Sequence, residues 1–234
     1  MTVVAIHQPQ YLPWLPYCAK AASCDIFVYL DNVQYQKNGV QNRNQIKAAN
    51  GPVWLTVPVR ASLDTTIQST PICNNIPWQK KHLNTIEMAY ARAAHKHILG
   101  EGLRELIESD WTYLADLNIA ITEWIFARLG IECKRIRASE LAADGAKDDL
   151  VLGICKSVGA TTYLSGQGAR AYQDPAKFEN QGVELSYHVF EEQVYQQCHM
   201  AQGFVNHMSA LDLLMNVGDS AGDVMRSGNG VNHV

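Results

Sequence analysis

His7 stands at the end of a short apolar run, Val3-Val4-Ala5-Ile6, and opens the segment His7-Gln8-Pro9-Gln10-Tyr11-Leu12-Pro13-Trp14. A histidine in that place can serve as acid, base or hydrogen-bond donor, because imidazole titrates near neutral pH. Its bland reading is a strand-end histidine bonded to a neighbouring loop. Gln8, Gln10 and Tyr11 make the loop polar, while Pro9 and Pro13 stiffen it and remove two backbone donors. Tyr11, Trp14 and Tyr17 follow closely and can either wall a ring-binding pocket or pack a helix onto the core; Trp14 suits the core. Lys20 lies on the stretch after the loop, and Asp31 closes a second apolar run, Ile26-Phe27-Val28-Tyr29-Leu30. The lysine can hold a phosphate or carboxylate as a point charge, and the aspartate a ribose or a cation; both also read as solvated charges.

A second polar block runs through Gln34-Tyr35-Gln36-Lys37 and Gln41-Asn42-Arg43-Asn44-Gln45-Ile46-Lys47. Amides both donate and accept, which suits sugars and amide groups, whereas Arg43 and Lys47 suit phosphate or carboxylate. If the block is a strand, Asn42, Asn44 and Ile46 share one face, and Arg43, Gln45 and Lys47 the other. The alternative is a solvated hairpin. Ser165-Gly166-Gln167-Gly168 follows a further apolar run, and such a turn lets backbone N–H groups approach a ligand. It matches neither a Walker motif nor GxGxxG, and a plain strand-to-helix turn explains it equally well. His95 and His97 are two residues apart rather than four, so no metal site is expected. No G-x-S-x-G elbow is present. Cys18, Cys24, Cys73, Cys133, Cys155 and Cys198 form no CxxC pair and most read as buried thiols; Cys18 and Cys24 flank the first helix, where a catalytic thiol is the alternative reading.

The elements that would position these groups follow from periodicity. Val3–Ile6 and Asp25–Leu30 read as buried parallel strands with a short helix, Leu15–Ser23, between them. Asn50-Gly51 between two extended runs predicts a β-hairpin carrying the polar block. Helical spacing marks Trp78–Ala94, Leu99–Ile107 and Trp111–Leu129, the last capped by Asp110 and stopped by Gly130. Cys133–Arg137, Thr161–Leu164 and Val183–Val189 read as strands, with helices at Lys147–Val158 and at Ser209–Asn216, the latter capped by Ser209. The expected fold is a single α/β domain over residues 1–226, Rossmann-like, with a largely parallel sheet, a β-hairpin and a helical insertion at about 78–130. The tail, 227–234, is expected to be disordered.

Composition narrows the function classes. The chain has 234 residues, 47% of them hydrophobic, and a net charge of −4. That balance argues against nucleic-acid partners, and no basic run suggests a membrane surface. The apolar start ends at His7 without a basic n-region, so no signal peptide is expected, and a cytoplasmic bacterial protein is the simplest placement. Association into a homo-oligomer is compatible with the sequence.

The run His7 to Trp14, with Tyr17, Lys20, Asp25 to Tyr35 and Gln41-Asn42-Arg43-Asn44, resembles the start of the WbqC-like family. The likeness continues through Leu55 to Val59, Trp78 with His82, Tyr163 to Gly166, Tyr172, Phe178 and Ser209 to Gly218. Pro16 stands where many relatives carry glycine, and Glu192-Gln193-Val194-Tyr195 where many carry His-Pro-x-Tyr. The resemblance implies an enzyme tailoring a small polar metabolite in surface-polysaccharide or secondary-metabolite biosynthesis, the substrate carrier- or nucleotide-linked or free. The resulting expectation is a transferase or ligase that forms or exchanges an acyl or amide-type bond without a metal or other cofactor. His7, Lys20 and Asp31 would be catalytic. Gln8, Gln10, Tyr11, Tyr17, Gln34, Asn42, Arg43, Asn44, Lys47, Ser165 and Gly166 would bind the substrate. The opening also looks distantly like nucleotidylyltransferases, which leaves nucleotidyl transfer as one alternative; a non-catalytic sugar or amino-acid binding protein is the other.

Overall fold

The apolar runs read from the sequence become the strands of one six-stranded sheet. The computed structural model describes residues 1–233, which form in order β1 (Val3–His7), α1 (Leu15–Ala21), β2 (Ile26–Tyr29), β3 (Arg43–Ala48), β4 (Gly51–Thr56), α2 (Trp78–Ala89), α3 (Leu103–Glu108), α4 (Leu114–Arg128), β5 (Lys134–Arg137), α5 (Asp148–Ser157), β6 (Thr162–Gly166), α6 (Pro175–Glu179), β7 (Glu184–Phe190), α7 (Ala210–Val217), α8 (Ala221–Ser227) and β8 (Asn229–His233). The sheet order is β5-β2-β1-β6-β7-β8, with β3 and β4 a separate antiparallel pair. All neighbours in the large sheet are parallel except β7 and β8. The chain moves outward from β1 to β2 and β5, then returns to lay β6 on the other side of β1. The strand order therefore reverses between β1 and β6, and ligands of open α/β sheets bind outside the carboxyl ends of the strands at such a point.

The sheet is covered on both faces, which is why Val3–Ile6 of β1 and all of β2 are apolar without a break. Ala5, Phe27, Tyr29 and Leu164 pack into the larger core, with α1, α4, α7 and the hairpin residues Ile46 and Leu55. Val4, Ile6, Ile26, Val28 and Tyr163 face the smaller core with α5 and Phe178 of α6. The side-chain period of two thus assigns each strand residue to one layer.

Several boundaries shift for physical reasons. The hairpin turn is Ala49-Asn50, and Gly51 opens β4 with φ +109°, a conformation that glycine adopts without strain. Asp110 does not cap α4: Ile72 N donates to Thr112 O and Leu114 N to Thr70 O, so residues before Leu114 are held extended against that segment. The helix predicted over Leu99–Ile107 starts only at Leu103, after Gly102 with φ +103°. Ser209 does cap α7, its Oγ accepting from Leu211 N.

The expected disordered tail is instead the strand β8, antiparallel to β7. Its composition suggested disorder, but the open edge of β7 satisfies its backbone. Gly228 makes the approach possible, since a Cβ there would come within 2.2 Å of Glu191 O. Val234 lies outside the described residues.

Candidate active site

His7 ends β1 on the face that carries α1, at the point where the strand order reverses. Its ring meets Tyr17 edge-on, with centroids 4.7 Å apart. Nδ1 lies 3.3 Å from Gln8 O, a contact that suits an Nδ1–H donor and leaves the Nε2 lone pair free. Burial, helped by the Lys20 charge, pushes the His7 pKa well down, so the ring is neutral at physiological pH. The residue is only partly enclosed. A neutral imidazole with a free ring nitrogen at a crevice is suited to take a proton.

Lys20 is brought beneath it by α1. The residue is 4% exposed, and Nζ donates to Ile6 O at 3.1 Å. Burial lowers its pKa to about 8.

A second imidazole, unpredicted from the sequence, joins them. Gly166 pairs with His188, next to the end of β1, whose pairing with β6 ends at Ala5 and Leu164. Alternation puts His7, Gly166 and His188 on one face. His188 Nε2 is 3.2 Å from Asn229 Oδ1 of β8. Burial, with Lys20 adding to it, lowers the His188 pKa to about 4. His188 was invisible in the sequence because 181 residues separate it from His7 and no motif marks it.

The loop between β1 and α1 is clamped from several sides. Tyr11 N donates to Gln41 O, and Ala210 N to Pro13 O. Asn118 Nδ2 of α4 donates to Pro9 O at 3.3 Å and to Gln41 O at 2.7 Å. Tyr11 OH donates to His82 Nδ1 at 2.8 Å, and His82 Nε2 lies 3.2 Å from Thr56 O. Gln8 Oε1 accepts from Gln41 Nε2. Asn118 was missed as a site-building residue because it looks like one polar interruption on an apolar helix.

Much of the polar block braces this loop. Asn44 donates to Leu12 O at 2.6 Å and accepts from Gln45 N. Asn42 donates to Val57 O at 2.8 Å. The buried amide oxygens of Gln10, Asn42 and Asn118, like that of Asn32, have no protein partner, and buried acceptors of that kind are ordinarily met by a donor from ligand or solvent. Arg43 turns to the other face, stacked 4.5 Å over Trp54 and donating to Asn38 O. Gln34 is exposed and bonds to Leu63 O.

Other expected site residues lie elsewhere. Asp31 accepts from the backbone and hydroxyl of Ser139, which ties β2 to the chain after β5. Ser165 is fully buried, its Oγ donating to Gln173 Oε1. Lys47 is buried, and Nζ donates to Gly203 O at 2.6 Å. Its charge acts on Asp212, whose carboxylate accepts from Tyr90, Tyr195 and Gln197. The structure thus brings His7, Lys20 and Gly166 near His188, places Gln8, Gln10, Tyr11, Asn42 and Asn44 in the loop after β1 and the segment that braces it, and engages Asp31, Gln34, Arg43, Lys47 and Ser165 in other contacts. Among the described residues, no group of three or more His, Cys, Asp or Glu is placed to hold a metal ion, and no helix is long and apolar enough to cross a membrane.

Fold and geometry together define a doubly wound α/β protein with His7, the buried Lys20 and His188 near its switch point. The model of the WbqC-like protein family matches residues 8–224, and the chain belongs to that family. It is similar to a protein of Mycobacterium tuberculosis (strain ATCC 25618 / H37Rv) carried under the name uncharacterized protein Rv1507c, 33% identical over 230 residues, or 97% of this chain and 98% of the relative. No solved structure matches the chain.

Proposed function

We propose that the chain is an enzyme that forms or exchanges an acyl or amide-type bond on a small polar metabolite in surface-polysaccharide or secondary-metabolite biosynthesis. The observation that carries this reading is the neutral, partly accessible His7 at the switch point, with Nε2 free and the Lys20 charge close behind it. In the proposed step, an amine or hydroxyl of one substrate attacks an activated carbonyl of the other. His7 Nε2 takes the proton from the attacking atom, and Lys20 offsets the negative charge that develops on the carbonyl oxygen. The tetrahedral species then expels its leaving group, to which His7 returns the proton. The unpartnered amide oxygens of Gln10 and Asn42 are suited to receive hydroxyl or amine donors of the polar substrate. His7→Ala is expected to reduce turnover by about 10²–10⁴-fold while the protein stays folded. Full turnover by that variant on an identified substrate pair would remove His7 from the chemistry.

A second reading, nucleotidyl transfer, draws support from the strand order and the β1–β6 switch point. It predicts a rise in melting temperature with ATP or CTP and magnesium; a melting curve unmoved by either nucleotide argues against it. Tight ligand binding with no conversion would instead favour a sugar or amino-acid binding protein.

A further inference from the structure

Gly166 separates the two imidazoles. The β1–β6 pairing ends at Ala5 and Leu164, and Lys20 Nζ takes the Ile6 carbonyl beyond it, so the His7 and His188 backbones, two strands from each other, are at least roughly 10 Å apart. A Cβ built on Gly166 meets no atom within 4 Å. The row His7–Gly166–His188 therefore has a side chain at each end and open space in the middle. Lys20 adds charge on the same side, close enough to act on both rings. Asn229 of β8 holds the far ring, and Tyr17 of α1 packs on the near one. Among the described residues no carboxylate forms an ion pair with Lys20, whose Nζ donates instead to Ile6 O. A buried cation without a carboxylate partner is costly to the free protein, and a bound anion would offset that cost.

We infer that the slot over Gly166, between His7 and His188 and above Lys20, is a subsite for an oxyanion, a carboxylate or phosphate group of the substrate. The inference rests on the catalytic reading only in taking this crevice as the place where substrate binds. Lys20 supplies the charge. An anion in the slot cancels part of its field at the two rings and raises their proton affinity, so His7 becomes a stronger base when substrate is bound. Gly166 is required because any side chain would fill the slot, although its φ of −87° and ψ of 150° suit any residue.

Ring proton signals of the histidines, followed by NMR against inorganic phosphate and, separately, acetate, test this directly. The two signals are assigned with His7→Asn and His188→Asn. At least one anion is expected to move both rings saturably and to raise both pKa values by about one unit or more. A response to phosphate alone, acetate alone or both supports the subsite and identifies the group it takes. Gly166→Leu should fold normally and lose the response, and Lys20→Met, which removes the charge without adding bulk, should lose it too. Rings that respond to neither anion, a response confined to one ring, or one that survives both substitutions would overturn the inference. The readout needs no turnover. Silent rings would thus leave the His7 acid/base role standing, whereas an active His7→Ala enzyme would remove that role and leave the anion response intact.

Discussion

At the residue scale, the site trades stability for a positioned charge. The Lys20 pKa falls from 10.5 to about 8 because burial disfavours the ammonium. Between those two values the unfolded chain keeps a proton that the folded chain has lost, so stability rises as pH rises through the window. Below about pH 8 the full penalty is present, roughly 3 kcal/mol for a drop of that size. Lys20→Met should therefore stabilise the fold at pH 7, by up to about 3 kcal/mol, while abolishing turnover. Its advantage in chemical unfolding should shrink as pH approaches 10. A Met variant less stable than the wild type at pH 7 would show that the ammonium is better compensated than its surroundings indicate.

At the element scale, the loop after β1 is ordered by partners remote in sequence. Asn118 alone ties two of its carbonyl neighbours to α4. Asn118→Leu should destabilise by about 1–3 kcal/mol, since buried acceptors lose their donor. Amide exchange across residues 8–14 should accelerate at the same time. Unchanged exchange in that loop would mean that Tyr11, Asn44 and the proline rings hold it without α4. The same logic explains why the polar block reads so strongly as a recognition surface: Asn44 and Gln41 are amides chosen for carbonyl-rich surroundings, and those surroundings are the protein's own loops.

At the scale of the whole molecule, the last strand closes the sheet edge beside the candidate site. β8 covers the edge of β7 and brings Asn229 to His188. Ending the chain after Ser227 should leave a parallel sheet with an open edge, which promotes association between copies. The His188 pKa should climb from about 4 towards that of an ordinary histidine as its burial is relieved. Size-exclusion chromatography and an NMR titration of the ring check both, and a monomer with an unmoved His188 would contradict the role given to β8.

Local pattern was enough to read the strands, the hairpin and most helices, because continuous apolar runs, Asn-Gly and a serine cap act over a few residues. It was also enough to single out His7 and Lys20, which lie thirteen positions apart on one β–loop–α unit. What it could not supply was how distant segments lie beside one another. A lone Asn in α4, a histidine near the end of β7 and a glycine-rich tail each look unremarkable in one dimension. Only sheet order and register bring His188 level with Gly166, next to the end of β1, and only the close backbone approach at Gly228 turns the tail into a strand. Sequence alone determined the local elements and pointed to the first half of the candidate site, whose groups are joined by short-range geometry. The tertiary structure decided the second half, because the contacts between β1, β6, β7 and β8 depend on long-range pairing that no local periodicity encodes.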